Sequence, residues 1–140
     1  MNRVFLVAAL ATQPLGSDAV SIADTNARMH AVDRVPTPFH ERSDAVERLY
    51  ESHVDPALDG LGRLPTSELA SAFEVLDRVA LYALLTAPDR MSHYLQRMQA
   101  LVDALDARGV LTQQQLQATF DTAIAMRQID VATALRDRFP

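Results

Sequence analysis

Apolar residues recur at intervals of three and four along most of the chain, which is the spacing of a helix with one buried face. The longest such run predicts a helix from Thr66 to about Thr86, with a typical start signal in Pro65 and Glu68. Its apolar stripe consists of Leu69, Ala72, Phe73, Leu76, Val79, Ala80, Ala83 and Leu84. Near its carboxyl end this helix is apolar on every side, as buried helices usually are. We therefore expect it to be the central helix of the domain.

Shorter or weaker runs predict the remaining helices. These are a marginal helix over about Asp24–Asp33, a clearer one from Ser43 to Val54, a short one after Asp55-Pro56, and three more over about Asp89–Arg108, Thr112–Arg127 and Val131–Arg138. Pro36 and Pro38 predict an extended segment between the first two, because a residue that precedes proline is disfavoured in a helix. Ser43 or a neighbour is expected to cap the second helix, and Asp55 the short one.

Two helix ends carry specific local signals. Gly109 stands where a left-handed residue commonly closes a helix. Thr112 and Gln115 have the spacing of a capping box, in which each side chain binds the other's backbone N–H. Leu111 and Leu116 are placed to form a hydrophobic staple across that box.

Together these elements predict an all-α fold, a small antiparallel bundle of roughly five to six helices. Thr66–Arg108 and Thr112–Phe139 each form a helical hairpin with a short connection, so a hairpin-repeat arrangement stays open. Phe120–Phe139 loosely resembles the alanine and leucine spacing of tetratricopeptide helix pairs. That resemblance covers about twenty residues, and no period of about 34 residues runs through the chain, so we assign no family.

Met1–Ala19 has the layout of a secretory signal peptide. Arg3 provides positive charge, Val4–Ala11 is an unbroken apolar run, and Ser17-Asp18-Ala19 ends in small residues at the positions that a signal peptidase reads. We therefore predict a periplasmic or secreted protein. The alternative is a cytoplasmic protein in which the apolar run is part of the folded domain. A membrane span is not expected, because it needs about 20 apolar residues.

On this interpretation the chain divides into three parts. Residues 1–19 are a signal peptide, residues 20–42 a weakly structured amino-terminal segment, and residues 43–140 the helical domain. A chain of 140 residues is long enough for one such domain with a real core.

Composition removes several classes of function. The absence of cysteine excludes disulfides, thiolate metal sites and cysteine nucleophiles. All 13 basic residues are arginine, but they are scattered among 18 acidic residues in a chain of net charge −5. Nucleic-acid binders usually concentrate positive charge on one face, so we predict no nucleic-acid partner. No motif indicates a cofactor.

The candidates for catalysis or metal binding are histidines with acidic neighbours. His40 precedes Asp44 by four residues and Asp89 precedes His93 by four, so each pair could share a helix face. Two ligands do not make a zinc site, which needs three or four, so we predict no metal centre. His53 lies on an apolar helix face and is expected to be a partly buried core residue.

These patterns favour a small exported protein that binds a protein partner and has no catalytic activity. The candidate contact surface is the apolar area around Leu81, Tyr82 and Leu85 that the bundle leaves uncovered. The first alternative is a small hydrolase with a site around His53, His93 and a carboxylate. The second is a cytosolic helical-repeat adaptor.

Overall fold

The computed structural model describes residues 21–140, and within them the chain forms six α-helices and no strand. The helices are α1 (Ile22–Asp33), α2 (Phe39–Leu49), α3 (Thr66–Thr86), α4 (Met91–Ala107), α5 (Gln113–Ala125) and α6 (Ile129–Arg138). A π-helical turn (Tyr50–Val54) and a 3-10 segment (Pro56–Arg63) join α2 to α3, and Pro88–Arg90 leads into α4. The predicted all-α bundle is confirmed.

The helices run up and down, and α3 lies at the centre. It packs against α1, α2, α4 and α5, which confirms its predicted place. Helix α1 runs parallel to α3, because Ile22 at one end meets Glu68 and Asp33 at the other end meets Tyr82. Consecutive helices thus form three hairpins; the first two meet through α1 and α2 on α3, and the last packs on α3 and α4 through α5.

The amino-terminal part of the described chain forms a helix that packs on α3. Helix α1 begins at Ile22 because the Ser21 side chain accepts a hydrogen bond from the Asp24 amide (3.0 Å). The Glu68 carboxylate of α3 accepts a second bond from the Ile22 amide (2.6 Å). The buried stripe of α1 includes Thr25, a polar residue that interrupts the apolar pattern of this part of the sequence. Within residues 21–42, the structure therefore places one packed helix, α1, and the first turn of α2.

Helix α2 also begins earlier than predicted. Its first residue is Phe39, directly after Pro38. Ser43 is consequently inside the helix, buried, with its hydroxyl 2.7 Å from that of Thr86. Ser43 is therefore a tertiary contact between α2 and α3, not a helix cap.

The predicted stripe of α3 and the buried face of α4 form the core. Leu76 in α3 and Leu101 in α4 are completely buried, as is Val75, which the stripe did not include. Leu84 is the exception, because it is 38% exposed at the carboxyl end of α3.

Two similar turns close α4 and α5. At the first, Gly109 has φ +69°, and the Val110 amide donates to the Leu105 carbonyl (3.0 Å). At the second, Arg127 takes the same left-handed conformation with φ +59°. Glycine adopts the left-handed backbone conformation without a steric penalty, whereas arginine does not. The second turn is therefore strained and the first is not.

Between these turns the predicted capping box is confirmed. The Gln115 amide donates to the Thr112 hydroxyl (3.1 Å), and the Thr112 amide donates to the Gln115 side chain (2.9 Å). Leu111 and Leu116 are half-buried against the core beside it.

The predicted signal peptide, Met1–Ala19, lies outside the described residues. From residue 21 onward, no helix combines the length and apolar character that crossing a bilayer requires.

Candidate functional site

The predicted contact surface divides into two parts. Leu81 and Leu85 are 64% and 74% exposed, one helical turn apart on α3. Tyr82 points away from them into the protein, because consecutive residues of a helix face different directions. It is buried, donates a hydrogen bond to the Asp33 carboxylate and packs on the ring of Phe39. Tyr82 is therefore a buried contact between α1 and α3, apart from the exposed pair Leu81 and Leu85.

Leu81 forms one rim of a groove between α3 and α5. The groove has a volume of about 340 Å³, and most of its accessible lining is apolar. It is lined by Asp77, Ala80, Leu81, Leu84, Met91, Ala118, Asp121, Thr122 and Ala125. On the α5 side the apolar lining is alanine, which leaves room for a side chain from outside. We call this feature the α3–α5 groove.

The groove is apolar at one end and acidic toward the other. Helices α3 and α5 run in the same direction, since Glu74 shares a cavity with Gln114 and Leu84 shares one with Ala125. Leu84 and Ala125 therefore mark the carboxyl end of the groove. Asp77 marks its amino-terminal end.

Asp77 and Asp121 interact unfavourably in this groove. Burial raises the pKa of Asp77 above its ordinary value, and the negative charge of Asp121 raises it further. Asp121 accepts a hydrogen bond from Gln117 (2.8 Å). Among residues 21–140, no ion pair or hydrogen bond engages the Asp77 carboxylate.

The nearest cation on α3 is already engaged elsewhere. Arg78 forms an ion pair with Asp33 of α1, and its guanidinium lies 3.1 Å from Nδ1 of His30. Beside it, Asn26 of α1 donates a hydrogen bond to Glu74. These polar contacts attach α1 to α3 next to Asp77 and Leu81, because His30, Glu74 and Arg78 line a second cavity together with those two residues.

A second polar cluster surrounds Asp55. Its Oδ1 accepts hydrogen bonds from the Tyr50 hydroxyl (2.8 Å) and from Nε of Arg97 (3.2 Å), and it lies 2.8 Å from Nε2 of His93. Burial alone would raise the pKa of Asp55, but the bonds from His93 and Tyr50 and the charge of Arg97 together lower it. Arg97 continues to Asp59 (2.8 Å).

Asp55 therefore joins the π-helical turn to α4. Sequence analysis placed it as a helix cap, but its side chain makes no capping bond. Tyr50 and Asp55 are five residues apart, and only the π-helical turn, in which the Asp55 amide binds the Tyr50 carbonyl, brings that spacing onto one face. In an ordinary α-helix, residues five apart do not lie on one face, so helical spacing did not predict the contact between Tyr50 and Asp55.

Of the histidines proposed for the hydrolase alternative, only His93 is in this cluster. It is about half exposed and contacts Asp55, not Asp89. His53 is partly buried on the π-helical turn, with no hydrogen bond to the Asp55 cluster, and His40 and Asp44 are exposed on α2. In the described part of the chain, no three histidine or acidic side chains lie together as metal ligands would.

A third polar contact joins α2 to the start of α4. Arg90 binds both Glu47 and Glu51 at 3.1 Å. Burial raises the pKa of Glu47, although the charge of Arg90 opposes that shift. Burial and the same two carboxylates raise the pKa of Tyr94 to about 12. Like the Asp55 cluster, this one holds neighbouring elements together.

Comparison with protein-family models, with curated proteins and with solved structures finds no match to this chain. The functional argument therefore rests on its own geometry.

Proposed function

We propose that this protein is a small exported binding module that holds a protein partner in the α3–α5 groove. The observation that carries the proposal is the group of exposed leucines, Leu81, Leu84 and Leu85, beside a concave and mainly apolar surface. Contiguous exposed apolar surface on a monomer often marks an interaction site.

The burial of these leucines sets the size of the expected binding free energy. Burying one leucine side chain contributes about 1.5–3 kcal/mol relative to leaving it exposed. Leu81 and Leu85 retain most of their exposure, so a partner that covers them gains much of this energy. The rim of the groove is therefore a favourable place for binding.

Site-specific photo-crosslinking in the native host tests the proposal. One version of the full chain carries the photoreactive residue at position 85. A control carries it at position 110, because Val110 is 41% exposed in the α4–α5 turn and does not line the groove. We expect a discrete cross-linked protein from position 85 that position 110 does not produce.

The purified partner then allows a quantitative test. Leu81→Ser should weaken its Kd about tenfold or more, since 1.4 kcal/mol corresponds to a factor of ten. Val110→Ser should leave the Kd within about twofold, as for a residue outside the interface. Identical cross-links at both positions, or a Kd that Leu81→Ser does not change, would contradict the proposal.

Export is supported by the layout of Met1–Ala19 and requires its own test. Mass spectrometry of the protein from its native host should find a mature chain that begins at Val20. An intact Met1 would contradict export and would favour the cytosolic adaptor, with the same groove as its binding surface.

A further inference from the structure

The charge distribution along the α3–α5 groove limits what it can bind. Asp77 and Leu84 are seven residues apart on α3, which corresponds to about 10 Å along the helix axis. The groove therefore has room for about two turns of a helix. It places a carboxylate at one end of that length and leucine at the other.

The cation beside the acidic end is already paired. Arg78 lines an adjoining cavity with Asp77, but its guanidinium forms an ion pair with Asp33 of α1. Asp121 of α5 lines the same groove as Asp77, so two negative charges lie at this end. Because like charges raise each other's energy, a cation placed here gains from both carboxylates.

We infer that the partner contributes an amphipathic helical segment, with an arginine or lysine beside Asp77 and Asp121 and large apolar residues against Leu81 and Leu84. This inference rests on the proposed function and specifies the chemistry of the partner. Recognition through the apolar face of a helix is common for grooves of this kind. The acidic end fixes the orientation of the segment, since reversing it would place the cation among leucines.

Three synthetic helices of about 14 residues, close to the length at which isolated helices become marginal, provide the probe. Each peptide has leucines along one face. The three peptides differ only at the position one turn before the first leucine, where the residue is lysine, glutamine or glutamate. Binding to the full chain is measured by fluorescence anisotropy. We expect the lysine peptide to bind about five- to tenfold more tightly than the glutamate peptide at low salt. The preference should shrink as salt is raised.

Substitutions in the groove test whether the preference for lysine comes from Asp77 and Asp121. Asp77→Asn combined with Asp121→Asn should remove the difference in affinity between the lysine and glutamate peptides. A matched control is Asp130→Asn combined with Asp137→Asn, since both residues are exposed on α6 outside the groove and the change in net charge is the same. We expect this control to retain the preference.

The outcomes separate this inference from the proposed function. If the three peptides bind equally and Leu81→Ser weakens all of them, the apolar groove binds helices and the charge inference is overturned. If none of them binds and position 85 produces no cross-linked protein, both proposals fail. A dimer in analytical ultracentrifugation that Leu81→Ser dissociates would identify a second copy as the occupant, which also overturns the inference.

Discussion

Helices α1–α4 and the hairpin α5–α6 are packed very differently. The largest fully buried side chains all lie between Ile22 and Leu105, and they include Tyr50 and Tyr94, whose rings meet edge to face at 5.3 Å. In α5–α6 the buried residues are Thr119, Ala123, Ala132 and Leu135. The first four helices thus form the core, and the hairpin rests on its surface.

The hairpin is attached to the first four helices by apolar and charged contacts. Leu95 of α4 packs against Ala123 and Ala132, and Arg138 at the end of α6 binds Asp103 and Asp106 of α4. Small side chains on α5 bring it close to the core without filling the space beside α3. The difference in packing explains why the groove lies at the junction of the two regions.

The largest expected effect comes from removing core leucines. Leu76→Ala and Leu101→Ala should each lower the free energy of unfolding by about 2–5 kcal/mol, because they leave cavities among completely buried neighbours. Leu135→Ala in α6 should fall at the lower end of that range. Urea denaturation measures all three. A larger loss at Leu135 than at Leu76 would show that the hairpin is packed as tightly as the core.

Removing the Asp55 carboxylate should be the next largest effect. Asp55→Ala leaves the buried Tyr50 hydroxyl without its acceptor and removes one of the acceptors of Arg97, which should cost about 1–3 kcal/mol at pH 7. The pKa of Asp55 is lowered in the folded protein, so its stabilisation is complete above the ordinary aspartate pKa of about 3.9 and is lost as the pH falls through the folded value.

Urea denaturation of the Asp55→Ala variant between pH 7 and pH 2 checks the sign of this effect. The gap in stability between the variant and the natural protein should close in acid. A gap that stays constant would mean that the charge of Asp55 contributes nothing.

The two similar turns should respond in opposite directions to substitution. Gly109→Ala places a side chain at φ +69° and should destabilise the protein by about 1 kcal/mol. Arg127→Gly relieves the same conformation at the tip of the α5–α6 hairpin and should stabilise it by about 1 kcal/mol. Thermal unfolding of both variants measures these changes in stability. The same sign for both would show that backbone strain does not distinguish the two turns.

The smallest expected effect concerns the groove itself. At pH 7 the ionised Asp77 opposes folding, because its pKa is raised in the folded protein. Asp77→Asn should therefore raise stability slightly, by less than about 0.5 kcal/mol. The gain should vanish as the pH falls below the ordinary aspartate value of about 3.9. A loss of stability at pH 7 would show that Asp77 has a stabilising contact in the folded protein.

Sequence periodicity predicted the helices well, because it depends on residues three and four apart. The predicted burial of Leu76 and the predicted capping box at Thr112 were correct for that reason. It could not assign Tyr82, since the choice between core and surface depends on α1, some 49 residues away. Asp77 was missed for the same reason: only the placement of α5 brings Asp121 near it.

The parallel arrangement of α1 and α3 has a consequence for synthesis on the ribosome. The contacts of α1 with α3 join residues 46 to 49 positions apart, from Ile22–Glu68 to Asp33–Tyr82. Chains grow from the amino terminus, so α1 emerges first and its partners on α3 follow much later. Until Tyr82 has emerged, the apolar side chains of Met29 and Val32 lack the helix that covers them. A nascent chain that ends before Tyr82 therefore exposes these apolar side chains, and exposed apolar surface favours aggregation.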